Sequence, residues 1–254
     1  MTSQIDKAMY FRNLHVPYDP VILYNIWDAG SAKAVLAAGA KAIATGSWSV
    51  AAAQGYQDGE ELSLDDALAV VASITRSVDA PITVDFEGGY AADPETVGRN
   101  ALRLLELGVV GLNFEDQVVN ASGLYSIEEQ VARLRAVRQA ADDLGVPAFI
   151  NARTDVFLKA EPDVEHASLL DDALARAAAY VEAGADGFFV PGLTDRTLIR
   201  NTCENAKLPV NVMMAADPKS IREVAELGVA RISFGPNPYR KLSSALEREA
   251  AAYF

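Results

Sequence analysis

Short apolar runs recur along this chain, separated by longer stretches in which apolar residues return every three or four positions. The first pattern belongs to strands buried on both faces, the second to helices with one apolar stripe. Four runs follow variations on one phrase: Ala38-Gly-Ala-Lys-Ala-Ile-Ala-Thr45, Leu107-Gly-Val-Val-Gly-Leu-Asn-Phe114, Ala183-Gly-Ala-Asp-Gly-Phe-Phe-Val190 and Leu227-Gly-Val-Ala-Arg-Ile-Ser-Phe234. In each, a helix stops at a glycine able to take positive φ, and a buried strand begins a few residues later. Four further runs are introduced by proline: Pro20 to Tyr24, Pro81 to Asp85, Pro147 to Asn151 and Pro209 to Met213. Proline at a strand's first residue removes no needed ladder donor.

Together these predict eight strands, beginning near residues 21, 42, 82, 111, 148, 187, 210 and 231. Helices are expected over Leu64 to Val78, Pro94 to Leu107, Ile127 to Leu144 and Leu169 to Ala183, with Asp93 as N-cap and Pro94 at the first helical position of the second. Eight alternations of strand and helix in 254 residues predict a (β/α)8 barrel, the TIM barrel, in preference to an open doubly wound sheet. No linker or composition break interrupts the chain, so residues 1–254 read as a single domain, with 1–19 as an N-terminal segment. The tail, residues 239–254, is a last helix free to pack on its own barrel or on a neighbouring subunit.

In such a barrel the chemistry lies at the C-terminal ends of the strands. Strand three delivers Asp85 and then Glu87, strand four Glu115 and Asp116, and strand five Asn151, Arg153 and Asp155. Asp85, Glu87 and Glu115 form an all-oxygen set with no Cys or His nearby, which suits Mg2+, with Mn2+ as the alternative. A divalent cation can chelate an α-oxo acid and stabilise its enolate, while Arg153 holds an anionic oxygen bidentately. The bland alternative is that these acids only neutralise Arg153 and cap loops. Gly46-Ser47-Trp48 offers backbone N–H groups at a helix start, a cradle for a carboxylate, or else an ordinary turn. Asp58, within Gly55-Tyr-Gln-Asp-Gly-Glu60, has turn chemistry around it.

The formal charge of −13 argues against nucleic acid or an anionic membrane surface as partner, though not against small anionic carboxylates. A single cysteine, Cys203, excludes an internal disulfide framework and fits a reducing cytoplasm. No run reaches the roughly 18 apolar residues of a membrane span, so a cytoplasmic location is expected.

The ordered set Thr45-Gly-Ser-Trp-Ser49, Gly55-Tyr-Gln-Asp-Gly-Glu60, Val84-Asp-Phe-Glu-Gly-Gly-Tyr90, Asn113-Phe-Glu-Asp-Gln117 and Asn151-Ala-Arg-Thr-Asp155 resembles the isocitrate lyase / phosphoenolpyruvate mutase superfamily. The resemblance runs from about Ile22 to Gly235. It implies a (β/α)8 barrel, a homo-oligomer (tetramer or dimer) often exchanging its last helix between subunits, Mg2+, and enolate chemistry at C–C or C–P bonds. It further implies Asp85 as the principal metal contact, with Glu87 and Glu115 acting through metal-bound water. Arg153 and the Gly46, Ser47, Trp48 turn would bind substrate, with Asp58 on the metal side as a catalytic residue. The superfamily's isocitrate and methylisocitrate lyases carry a Lys-Lys-Cys-Gly-His loop after strand four. Here Gln117 to Tyr125 holds no Cys, His or Lys, leaving Asn120 and Ser122 as its polar candidates for proton handling. The mutase's histidine after strand six is replaced by Pro191, and the usual second aspartate by Glu87. The chain fits the phosphonomutase-like branch best. The expected activity is Mg2+-dependent cleavage of a C–C bond in an α-oxo or α-hydroxy di- or tricarboxylate. C–P chemistry, or a barrel that binds a carboxylate without turnover, are the alternatives.

Overall fold

The computed structural model describes residues 3–119, 121–214 and 218–254. Helix α1 (Gln4–Asn13) precedes β1 (Val21–Leu23), α2 (Ala29–Ala37), β2 (Ile43–Ala44), α3 (Ser47–Ala53) and α4 (Leu64–Ser77). There follow β3 (Ile82–Asp85), α5 (Pro94–Leu105), β4 (Gly111–Glu115), α6 (Ile127–Leu144), β5 (Phe149–Arg153) and α7 (Leu170–Glu182). The chain ends with β6 (Gly187–Phe189), α8 (Arg196–Asn205), β7 (Val210–Met213), α9 (Pro218–Ala225), β8 (Arg231–Ser233) and α10 (Asn237–Ala250).

The strands are all parallel, in the order β1-β8-β7-β6-β5-β4-β3-β2, a (β/α)8 barrel as the alternating pattern predicts. The four phrase glycines, Gly39, Gly108, Gly184 and Gly228, all have φ between 90° and 99°, so each ends its helix in the left-handed region. Helix α5 starts as read, with Asp93 accepting from the Thr96 N–H and Pro94 in the first turn. Helix α6 is held by a Ser126–Glu129 capping box and stopped at Gly145 with φ 71°.

The ring closes differently at one place. β1 and β2 share no ladder; a single parallel bridge, Ile26 to Thr45, joins them beyond the ends of the strands. The Asn25 side chain reinforces that joint. Its Nδ2 donates to the Thr45 carbonyl at 2.8 Å, and its Oδ1 accepts from the N–H groups of Phe234 and Gly235. One buried amide therefore ties the ends of strands one, two and eight.

Helix α1 plugs the opposite end. Phe11 is fully buried and meets Phe149 edge-on, and the His15 ring stacks on Phe149 with centroids 3.9 Å apart. Burial, then the nearby Arg231 charge, pushes the His15 imidazole down to about 3, so it is a neutral packing group. Cys203 lies on α8, its thiol pushed up by burial to about 12, as expected of a structural cysteine. Helix α10 leaves Leu242 and Leu246 exposed, one turn apart on one face. No helix among the described residues is long and apolar enough to cross a membrane.

Candidate active site

Six of the residues singled out in the sequence, Gly46, Ser47, Trp48, Asp58, Asp85 and Arg153, line one pocket of about 280 Å³ at the C-terminal mouth. Asp85 is its centre. Its Oδ2 accepts from the Ser47 N–H at 3.2 Å, and Ser47 Oγ lies 2.9 Å away; its Oδ1 accepts from Asn113 Nδ2 at 3.2 Å. Ser47 Oγ also lies 3.1 Å from Asp58 Oδ1. One hydroxyl proton can serve only one of these carboxylates. Burial, then the Asp85 charge, raises the Asp58 carboxyl above its ordinary value.

Arg153 differs from the expectation of a guanidinium offering its fork to a ligand. Its Nε and Nη2 bind both oxygens of Asp155, at 2.6 and 2.8 Å, and Nη1 binds Glu115 at 2.8 Å. The fork is occupied because Asp155 stands two residues along the same chain and is itself fully buried. What faces the pocket is the Nη1 edge, 4.0 Å from Asp85 Oδ1. Burial alone would lower the Arg153 pKa. The carboxylates of Glu115, Asp155 and Asp85 outweigh it and hold the guanidinium charged.

Glu87 and Glu115 stand behind the pocket wall. Glu87 adopts φ 50°, unusual for a residue with a side chain, and this turns its carboxylate under the 58–60 loop. Its Oε2 accepts from the N–H groups of Gly59 and Glu60, and its Oε1 from the Tyr90 hydroxyl. The turn is locked from below by Arg133, buried on α6, which donates to the Gly88 and Ala91 carbonyls and stacks on Tyr125. Burial, then the charges of Asp58 and Asp85, pushes Glu87 up to about 8. Glu115 is also raised well above its ordinary range, by burial against the opposing pull of Arg153.

The cradle is largely committed too. The Gly46 N–H donates to the Ile26 carbonyl, and the Ser47 N–H and hydroxyl are taken by the neighbouring carboxylates, so the Trp48 N–H remains as its donor toward a ligand. Ser122 is exposed near the tip of a small hairpin pinned by the Gln117–Leu124 bridge, and it does not line the pocket. Asn120 lies outside the described residues. In the same hairpin Val119 packs down on Gly88, where a Cβ would come within 3.0 Å of it.

No three Asp, Glu, His or Cys side chains among the described residues converge as a ready chelate. The donor chemistry nevertheless fits a hard divalent cation. Asp85 faces the pocket, and Asp58, Glu87 and Glu115 crowd round it with carboxyls raised by burial and mutual repulsion, beyond what Arg153 neutralises. The raised Glu87 carries a pH signature. Because its folded value of about 8 exceeds the ordinary 4.5, the protonated form favours the folded state. That stabilisation is complete below the ordinary value and is lost as pH rises through the folded one. In the absence of divalent cations Tm should therefore fall as pH rises from about 4.5 to about 8 and level off above that. Glu87→Gln, which keeps the hydrogen bonds to the loop but cannot ionise, should flatten the fall; an unchanged slope would exonerate Glu87.

Three buried polar residues were not among the site candidates drawn from the sequence: Asn113, Asn211 and Arg231. Each is on a strand and inside the barrel's core, two residues before a pocket-lining or acid position. That period of two was the available signal.

The mouth of this parallel barrel thus gathers acids, two arginines, Arg153 and Arg240, and a helix-start turn. The phosphoenolpyruvate phosphomutase family model matches residues 11–254, and the chain belongs to that family, within the isocitrate lyase / phosphoenolpyruvate mutase superfamily. A solved structure from Burkholderia cenocepacia J2315, a phosphonomutase by assignment, is 46% identical, with a TM-score of 0.95 over 99% of this chain and 100% of that one. The 2-methylisocitrate lyase of Escherichia coli K12 is 32% identical over 209 residues, 79% of this chain and 67% of the lyase. Phosphonopyruvate hydrolase, solved with oxalate and Mg2+, shares the fold at a TM-score of 0.85 and 20% identity, over 99% of this chain and 87% of that one. The relatives are thus enzymes of C–C and C–P bond chemistry, and lyase-type chemistry is the coarse assignment for this chain.

Proposed function

We propose that this chain is a Mg2+-dependent enzyme that cleaves a C–C bond of a small α-oxo or α-hydroxy di- or tricarboxylate through an enolate. The observation that carries the reading is the convergence of Asp85, Asp58, Arg153 and the Ser47 turn on one pocket of about 280 Å³, a volume at the small end for ligand sites. Asp85 would be the direct contact of the cation, with Asp58, Glu87 and Glu115 adding charge. A bound Mg2+ supplies electrostatic stabilisation to negative charge developing beside the substrate carboxylate.

The chain's own residues do the rest. The Trp48 N–H orients the carboxylate at the start of α3, where the helix dipole favours an anion. The Nη1 edge of Arg153 adds a fixed positive charge, held rigid by Asp155 and Glu115. Phe189, Pro191 and Met213 form an apolar wall that keeps water from the reacting carbons. The polar residues of the 117–125 segment, Ser122 and Asn120, are the candidates for positioning a water that would protonate the leaving carbon.

The 46% identical relative, assigned as a phosphonomutase, favours C–P chemistry as the second reading. Turnover with Mg2+ of oxaloacetate, methylisocitrate, dimethylmalate and phosphonopyruvate separates the two. Activity on one of the first three is expected. Phosphonopyruvate as sole substrate would overturn the lead. Stabilisation by oxalate with no turnover of any compound would make the barrel a binding protein.

A further inference from the structure

Arg231 is 1% exposed and sits inside the barrel on β8, far from the surface where an arginine is ordinarily solvated. Among the described residues no carboxylate lies within ion-pair distance of it, and its Nε and Nη1 have no hydrogen-bond partner. A buried, uncompensated charge is costly, so its placement implies a role beyond packing. Its remaining nitrogen shows where that role is exercised, for Nη2 donates to Asn113 Oδ1 at 2.9 Å.

Asn113 Oδ1 also accepts from Asn151 Nδ2, at 2.9 Å. Both lone pairs of that oxygen are therefore used by buried donors, and the amide cannot flip without confronting two N–H groups with its own NH2. Its Nδ2 is left committed to Asp85 Oδ1, at 3.2 Å. On the other side Ser47 fixes Asp85 Oδ2. Arg231 is thus the far end of a column that passes up the barrel through Asn113 to the carboxylate at the pocket's centre. The charges agree with the geometry: burial pulls Arg231 down to about 9, and the Asp85 charge is the influence that opposes it.

We infer that Arg231 is a positioning residue for Asp85, acting through the amide of Asn113. The inference rests on the reading of Asp85 as the principal metal contact. Groups that orient a ligand from behind typically contribute about 10–100-fold to metal affinity.

The test is a double-mutant cycle on Mg2+ affinity, measured by calorimetry on the full chain, with Arg231→Met, Asn113→Ala and the pair together. Each single variant should weaken Mg2+ binding about tenfold or more. The pair should lose no more than the worse single variant, because both act through one amide. Wild-type affinity in Arg231→Met, or losses that multiply in the pair, would overturn the inference. A merely structural Arg231 would lower Tm and leave the affinity of the folded protein unchanged. Should Arg231→Met fail to fold, Arg231→Lys, which keeps the charge and loses the planar fork, takes its place in the cycle. If the wild-type chain binds no Mg2+, the metal reading fails. The orientation is then read from a crystal structure of the Arg231 variant: an Asn113 amide turned from Asp85 supports the inference, and an unmoved one overturns it.

Discussion

Asp85→Ala should abolish the Mg2+-dependent rise in Tm and lower turnover by at least about 10³-fold, since a metal's charge stabilisation amounts to several kcal/mol at 1.36 kcal/mol per tenfold. The fold itself should survive. The groups that Asp85 holds, the Ser47 N–H and hydroxyl and Asn113 Nδ2, border the pocket and can be met by water once the carboxylate is gone. Glu87 and Glu115 cannot replace it, because their carboxylates are turned to the 58–60 loop and to Arg153. The measurement is a thermal melt with and without Mg2+ beside a turnover assay. A variant that still gains stability from Mg2+ would remove Asp85 from the metal.

The second large effect is on stability. Arg153→Ala should cost about 3–5 kcal/mol, the usual penalty for removing one partner of a buried ion pair. Arg153 is the common partner of Glu115 and Asp155, whose side chains are 5% and 0% exposed. Its loss strands both buried acids beside each other and Asp85 with no positive partner among the described residues. For a chain of this size that corresponds to a drop in Tm of roughly 10 °C. Glu115→Gln in the Arg153→Ala background should recover part of the loss by removing one stranded charge, whereas Glu115→Gln alone should destabilise. Melts of the four proteins decide it; additive losses would show that the pair does not act as a unit.

These expectations show which parts of the molecule the sequence makes legible. The strand starts could be read to within a residue because barrel strands, buried on both faces, are continuous apolar runs, and because each phrase glycine needs positive φ where its helix ends. The pocket-facing residues Ser47, Asp85 and Arg153 were also legible, as polar groups at or just beyond strand ends, whereas Asp58, in the connection between α3 and α4, was reached only through the family resemblance. Their partners were not. That Asp155 takes the fork of Arg153, and that Glu87 turns away under the 58–60 loop, depends on rotamers and on a φ of 50° that no periodicity reports. Arg133 lies on a helix whose charged residues read as solvated, yet it is 1% exposed and holds the turn that carries Glu87. Arg231 and Asn113 sat in the middle of predicted strands, away from the strand ends searched for chemistry, and only the ring brings β4 and β8 side chains within 2.9 Å across the axis.

The joint between β1 and β2 has a mechanical consequence. A ring sheared or breathing at its circumference opens first where the fewest hydrogen bonds cross, and here that seam is one bridge and the Asn25 clasp. The Ser47 turn is mounted on one lip of the seam, immediately after β2, while Asp85 belongs to the adjoining β3. A ligand gripped by the Ser47 turn, and covered from the β8 side by Gly235 and Pro236, spans the gap like a rivet. Part of its binding energy then goes into tightening the hoop, so that affinity at the mouth and rigidity of the whole barrel rise together.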